Sequence, residues 1–358
     1  MNAEPDQIPL DVAGLTLAEY AARQGTSVPA ARAEYCQALR APGALVLPPI
    51  TRRETDDGVI KFCLAVPGVG GGPALETESV IIPMRGRGGE RWHTLCVSSQ
   101  VGCRMGCAFC ETARMGLLRN LTAAEIVAQY LVARELLDAG AALPARPYNY
   151  YLSGIHDIVF MGMGEPLDNL DAVAQAIRVL GEPNGLNFPQ AQITVSTVGR
   201  IDGLRRLAAL GWPNLRLAVS LNAPHDGVRN ALMPVNRAMP LAALRRALDE
   251  YPLARKARLV VEYVLLGGVN DSPADARAVA DWCRGLRCVV NLIPYNPQRD
   301  PSFAAPDEAT IAAFAAELRR GGAFVTRRRP KGRDLLGACG QLGNGQTLRR
   351  GGAEAPIP

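Results

Sequence analysis

The segment TLCVSSQVGCRMGCAFCETARMG, residues 94–116, carries Cys103, Cys107 and Cys110 in the spacing C-x3-C-x2-C. Thiolate sulfur is the natural protein ligand of iron–sulfur clusters. Three thiolates this close in one loop can grip three irons of a cubane 4Fe–4S cluster, and the missing fourth leaves one iron open to a small molecule. Two other readings are weaker. A structural zinc asks for four closed ligands, usually paired as CxxC, and the chain holds no second such pair. A disulfide frame belongs to oxidising compartments, whereas the rest of the chain reads as intracellular.

The 358 residues are enough to bury a large core. One domain of roughly 250 residues with a small appendage is the natural division. No apolar run reaches the roughly 18 residues that a membrane helix needs, and no basic-then-apolar leader opens the chain. Neither a membrane span nor a secretion signal is therefore expected. Nine cysteines without a regular framework fit a reducing cytoplasm. A net charge of +5 permits a nucleic-acid partner without demanding one.

Read in order, residues 1–55 form a short helical appendage. TLAEYAARQG (16–25) has helical spacing through Leu17, Tyr20 and Ala21 and stops at Gly25, and a second helix over 27–43 ends at Pro42-Gly43. Residues 58–98 alternate as strands, with Gly-rich turns at 68–72 and 85–89. A helix over 122–137 opens with Thr122 and Glu125 in capping-box spacing. Further strands are expected at 157–162, 192–197, 215–221, 258–266, 288–294 and 323–328. Helices fall between them at about 168–180, 200–210, 240–251, 273–286 and 307–320. Apolar strands alternating with helices mean an α/β fold with a parallel sheet covered by helices.

Several residues at strand ends stand out. Gly162 and Gly164 sit where a strand gives way to a loop, and a missing side chain lets a ligand approach the backbone. Glu165 follows, able to accept hydrogen bonds from an ammonium or a ribose. Ser196, Ser220 and Asn222 offer short polar groups, and Asn296 lies in a loop stiffened by Pro294 and Pro297. Cys339 occupies a tail of small, Gly-rich residues that is expected to be mobile, a poor place for a core residue and a better one for a reactive thiol. RRRPKGR (327–333), just before it, suits a phosphate backbone. Glu78 in ESVIIP reads as an exposed strand acid. Cys36, Cys63, Cys283 and Cys288 read as ordinary buried cysteines.

The motifs CVSSQVGC (96–103), MGMGEPLDN (161–169), STVGR (196–200), SLNAP (220–224), LIPYNP (292–297) and ACGQL (338–342) together resemble the RlmN/Cfr family of radical S-adenosylmethionine RNA adenine methyltransferases. The resemblance runs from about Glu76 to Leu342. It implies a core over residues 56–328, a partial (β/α)6 barrel with a leading β extension, preceded by the helical appendage 1–55 and followed by a tail, 329–358, that bears a reactive cysteine. It implies a 4Fe–4S cluster on Cys103, Cys107 and Cys110, and S-adenosylmethionine, two per turnover, bound by Gly164, Glu165, Ser196, Ser220, Leu221, Asn222 and Asn296. Cys339 becomes the methyl carrier, Glu78 a general base, and Cys96 the thiol that releases the product and leaves a transient disulfide. The implied substrate is an adenine ring carbon in ribosomal RNA, with C2 favoured over C8 and transfer RNA left open. A flavodoxin-like or ferredoxin-like electron donor, a monomeric state and a cytoplasmic location complete the expectation. A cluster-bearing RNA-binding or redox-sensing protein without catalysis is the reading from another class.

Overall fold

Asp57 and Gly58 take positive φ values of 44° and 72°. They make the tight Asp-Gly turn that joins two twisted antiparallel strands. In the computed structural model, which describes residues 8–41, 43–86, 88–138, 154–298, 302–328, 331–332 and 335–343, that turn links β1 (Ile50–Asp56) to β2 (Val59–Val66). The described strands continue as β3 (Leu75–Arg85), β4 (Arg91–Cys96), β5 (Gln100–Cys103), β6 (Gly116–Asn120), β7 (Ile155–Phe160), β8 (Ile193–Thr197), β9 (Arg216–Ser220), β10 (Leu259–Leu265), β11 (Cys288–Pro294) and β12 (Val325–Arg327).

The chain divides into two units. The first draws on the described residues within Met1–Ser99, Asn120–Gly162 and Asn169–Thr194. Here β1, β2, β3 and β4 form an antiparallel meander, and β7 adds in parallel beside β4. The register puts Arg52 opposite Cys63 and Cys63 opposite Glu78, so one row of side chains crosses three strands. The helices Leu17–Arg23 and Val28–Arg40 start on side-chain caps from Thr16 and Ser27. They are fastened within this unit: Tyr35 donates to the Leu15 carbonyl at 2.8 Å, Arg40 Nε to Gly185 O at 2.6 Å, and Arg134 to Leu39 O at 3.0 Å.

The helix Ala123–Asp138 opens on the expected Thr122–Glu125 capping pair. It is buried well beyond one apolar stripe, including the polar Gln129 and Arg134. Gln129 accounts for its burial by clamping the chain after β4. Its Oε1 accepts from Ser98 N at 2.8 Å and Ser79 Oγ at 2.7 Å, while its Nε2 donates to Ser98 O at 2.9 Å. Asn169 ties the flanks of the cysteine segment, donating to Ser99 O and Leu121 O, both at 2.8 Å.

The second unit draws on Gln100–Arg119, Met163–Asp168 and the described residues from Val195 onward. Strands β9, β10, β11 and β12 pair in parallel in that order, and β5 pairs with β6. Helices Ile201–Ala209, Leu241–Asp249, Pro273–Cys283 and Glu308–Arg320 alternate with these strands and pack apolar faces inward. This is the expected α/β fold with a mostly parallel sheet.

Some elements differ from the sequence expectations. Residues 50–56 are a strand, although the appendage read as helical throughout. The β5–β6 pair and the helix Asp226–Leu232 are too short for periodicity to show. Cys36 is only half-buried, whereas Cys63, Cys283 and Cys288 are buried as expected. Among the described residues no helix is long and apolar enough to cross a membrane.

Candidate active site

The cysteine loop leaves β5 at Cys103 and returns through the helix Glu111–Arg114 to β6. Gly102 lets the two strands meet: its φ is +76°, and a Cβ there would lie 1.9 Å from Gly116 O. Cys103 and Cys107 are buried in an apolar nest with Met105, Phe109, Leu232 and Tyr295, and half-buried Cys110 packs against it. Ala108 N donates to Leu232 O at 2.9 Å, and Cys110 N to Cys107 O at 3.1 Å.

Burial pushes the Cys103 thiol up to about 12 and holds the other two thiols above their ordinary range. Next after burial, the charges of Cys110 and Cys103 act on Cys107. Without metal the three are thus neutral thiols, and a metal that displaces their protons converts burial into binding. Among the described residues no three ligand side chains converge on a single metal ion. Three cysteine sulfurs gathered in one buried loop are the donor chemistry that iron–sulfur clusters take. The residues present fit the cluster.

Glu165 lies beside this loop in the same unit and is 2% exposed. Its Oε1 accepts from Leu167 N at 3.0 Å, its Oε2 from Val198 N at 2.8 Å, and its own N–H donates to Gln100 Oε1 at 2.8 Å. Burial pushes its pKa up to about 7, partly offset by those two backbone donors. Both oxygens are therefore already engaged in shaping the turn, which the sequence reading did not anticipate. Gly164 has φ +99°, and a Cβ there would lie 2.6 Å from the Gln100 side chain. Nearby, Asp168 accepts from Arg104 at 2.5 Å and Arg200 at 2.6 Å. Those two ion pairs tie together the cysteine loop and the segments 161–169 and 196–200.

Ser196 and Ser220 are half-buried at strand ends, and Leu221 is buried. Asn222 is buried with φ +56°. Its Oδ1 accepts from Val264 N at 2.9 Å, its Nδ2 donates to Met233 Sδ at 3.3 Å, and its carbonyl accepts from Asn270 Nδ2 at 2.7 Å. Asn296 donates to Cys339 O at 3.3 Å.

The tail is held against the cysteine loop. Glu111 N donates to Gly340 O at 2.8 Å, Thr112 Oγ1 donates to Leu342 O, and Gln341 Nε2 donates to Pro297 O at 2.7 Å. The sequence reading took this as a mobile tail. Instead Ala338–Leu342 is seated, with Cys339 half-buried. One unit thus gathers Cys103, Cys107, Cys110, Gly164, Glu165, Asn222, Asn296 and Cys339. The basic run 327–333 lies partly outside the described residues; within it, Arg327 forks onto Glu308 with two 2.6 Å bonds, so its charge is paired.

Glu78 and Cys96 belong to the other unit. Glu78 is fully buried and not the exposed acid expected from its strand. Lys61 Nζ lies 2.9 Å from its Oε2 and Arg52 Nη2 3.3 Å from its Oε1. Arg52 Nη2 also donates to Cys63 Sγ at 3.3 Å. Cys96 is 5% exposed at the end of β4, opposite Val80 and Val159.

Four residues with clear work escaped the sequence reading: Lys61, Asp168, Arg200 and Arg229. Asp168 and Arg200 stand inside the quoted motifs, but their partner was visible only in three dimensions. Lys61 and Arg229 are cations within apolar patterns, a signal of a buried partner that went unread.

A family model described as the radical SAM superfamily matches residues 97–280. The chain is 45% identical to the dual-specificity RNA methyltransferase RlmN of Phenylobacterium zucineum over 316 residues, covering 87% of this chain and 76% of that one. It is 44% identical over 303 residues to the enzyme of the same name from Azorhizobium caulinodans, covering 82% of this chain and 72% of that one. The crystal structure of a radical SAM methyltransferase from Sphaerobacter thermophilus superposes with a TM-score of 0.77 at 37% identity, covering 92% of this chain and 98% of that one. A cysteine loop shaped for a cluster, carried on an α/β fold with these relatives, leads to one conclusion: the chain belongs to the RlmN family of the radical SAM superfamily and is an RNA methyltransferase.

Proposed function

We propose that this enzyme methylates C2 of an adenine in ribosomal RNA, with Cys339 as the methyl carrier. The observation that carries the proposal is the seating of the carrier segment on the cysteine loop, through Glu111 N to Gly340 O at 2.8 Å. Adenine C2 is electron-poor and has no lone pair, so it cannot attack a sulfonium methyl directly. A 4Fe–4S cluster and S-adenosylmethionine, two per turnover, would supply the methyl group and the one-electron chemistry that activates it. Cys103, Cys107 and Cys110 would hold the cluster. Gly164, Glu165, Ser196, Ser220, Leu221, Asn222 and Asn296 would frame the cofactor, several of them by shaping the loops.

The chain's own residues do the rest. The Cys339 sulfur accepts the methyl group and presents its carbon to the ring. Glu78, ion-paired with Lys61 and Arg52, takes the ring proton. Cys96 then attacks the Cys339 sulfur, the sulfur–carbon bond to the product breaks with its electron pair on carbon, that carbon takes up a proton to become the methyl group, and the resulting disulfide is reduced by thiol exchange. The three-part division at residues 55 and 328 is a division of labour: appendage, catalytic core and carrier tail. The reading includes a flavodoxin-like or ferredoxin-like electron donor, a monomer, and a cytoplasmic setting.

The test is anaerobic reconstitution with iron and sulfide, followed by reaction with S-adenosylmethionine, dithionite and ribosomal RNA. 2-Methyladenosine by nucleoside mass spectrometry, together with 5′-deoxyadenosine, is the expected result. 8-Methyladenosine would move the reaction to the other ring carbon. Neither methylated nucleoside nor 5′-deoxyadenosine from fully iron-loaded protein would overturn the proposal.

A further inference from the structure

Among the described residues, Arg229 in the short helix Asp226–Leu232 is the largest side chain that is completely buried, with 0% exposure. Its Nε donates to Leu221 O at 2.9 Å, Nη1 to Asn236 Oδ1 at 2.7 Å, and Nη2 to Val198 O at 2.8 Å and Ser220 O at 3.0 Å. Every one of those acceptors is neutral. Burial pulls the guanidinium down to about 10, which leaves it charged at neutral pH. Fully buried cations are normally paired with an anion, because desolvating a lone charge is expensive. Asp226, whose charge reaches it, is engaged elsewhere: its Oδ1 accepts from Asn236 Nδ2 at 2.8 Å and from Leu241 N at 2.9 Å. The helix that carries Arg229 packs on the cysteine loop: Leu232 O accepts from Ala108 N at 2.9 Å, and Leu232 lies in the buried nest of Cys107 with Val228 packed against it. A thiolate at Cys107 therefore faces Arg229 and acts on it ahead of Asp226.

We propose that Arg229 is the buried counter-charge of the iron–sulfur cluster and a positioning residue that sets its reduction potential. The inference rests on the reading of Cys103, Cys107 and Cys110 as cluster ligands. A cluster bound by three thiolates is anionic overall and becomes more so on reduction. A fixed cation beside one ligand favours the reduced form, and net charge around a cluster is a main determinant of its potential. The same fork bonds to the carbonyls of Val198, Ser220 and Leu221, so charge and loop shape come from one side chain.

Three variants separate the two contributions. Arg229→Lys keeps the charge and loses the fork. Arg229→Gln removes the charge. The swap Asp226→Asn with Asn236→Asp keeps Arg229 and the net charge but moves a carboxylate onto the guanidinium. Each is reconstituted anaerobically, assayed for iron and sulfide, and titrated potentiometrically with the reduced cluster read by electron paramagnetic resonance. Arg229→Lys should keep the wild-type midpoint. Arg229→Gln and the swap should lower it, so that at the wild-type midpoint the reduced-to-oxidised ratio falls roughly tenfold, about 59 mV for one electron. Loss of the cluster from both, with Arg229→Lys still loaded, is the same result in its extreme form. Full loading with an unchanged midpoint in Arg229→Gln and in the swap overturns the inference, as does loss of the cluster from Arg229→Lys too, which would assign the residue to loop shape alone. Wild-type protein that takes up no iron would instead overturn the cluster reading beneath it.

Discussion

Lys61→Met removes one side of a buried ion pair. The Lys61 side chain is 2% exposed, that of Glu78 0%, and their charged atoms are 2.9 Å apart. Deleting one partner of such a pair costs roughly 3–5 kcal/mol, because the remaining charge stays desolvated. Arg52 remains 3.3 Å from the other carboxylate oxygen and offsets part of that loss. Its side chain is 34% exposed and it also engages Cys63, so the compensation is incomplete. The expected net loss is roughly 2–4 kcal/mol. Against a total stability of about 5–15 kcal/mol, that is a large fraction, and it should lower the urea midpoint of the apoprotein by about 1 M. The double change Lys61→Met with Glu78→Gln takes away both charges and should recover much of the loss, since replacing a buried pair by uncharged groups is often nearly neutral. Urea unfolding of the wild type, both single variants and the double variant measures the coupling energy directly. A Lys61→Met protein within about 0.5 kcal/mol of wild type, or a double variant less stable than Lys61→Met, would refute the argument.

Other outcomes are expected at the remaining sites. Cys103→Ala, Cys107→Ala and Cys110→Ala should each abolish cluster formation on anaerobic reconstitution; stoichiometric zinc without iron in the wild type would contradict this. The Glu165 pKa of about 7 lies above the unfolded value of 4.5, so the folded state holds this proton more tightly and its contribution to stability falls as pH rises from about 4.5 through about 7. Glu165→Gln should remove that slope from the apoprotein, worth roughly 3 kcal/mol across the window, and an unchanged pH profile in denaturation would exclude it. Cys96→Ala should accumulate a covalent protein–RNA species on denaturing gels, and adding Cys339→Ala should eliminate it; normal turnover by Cys96→Ala would rule out thiol resolution.

Local pattern was enough for much of this protein. Thr122 and Glu125 announce a helix start that the fold then uses, and the apolar run 288–294 is a strand over the same residues. Spacing alone marked Cys103, Cys107 and Cys110, because three ligands in one loop are neighbours in sequence as well as in space. Resemblance placed Glu165, Asn222, Asn296 and Cys339 on the list, and the fold brings them into one unit with the cysteine loop. What periodicity could not supply were short elements held by tertiary bonds, such as β1, the β5–β6 pair and the helix Asp226–Leu232.

Only the tertiary structure decided the state of the charged groups. Glu78 in an alternating strand has the pattern of a solvent-facing acid, yet strand register sets it opposite Cys63 with Lys61 on the same face. Arg229 could have been surface charge; three strand-end carbonyls and Asn236 accept its hydrogen bonds in the interior. The tail 338–342 looked mobile because small residues lack local preference, and it is bonds to Glu111, Thr112, Asn296 and Pro297 that seat it. Sequence fixes which groups can carry charge and which stretches prefer a helix or a strand, since those are properties of near neighbours. Whether a charge is solvated or buried, and which partner meets it, depends on residues far apart in the chain, and that is settled only when the strands take their register.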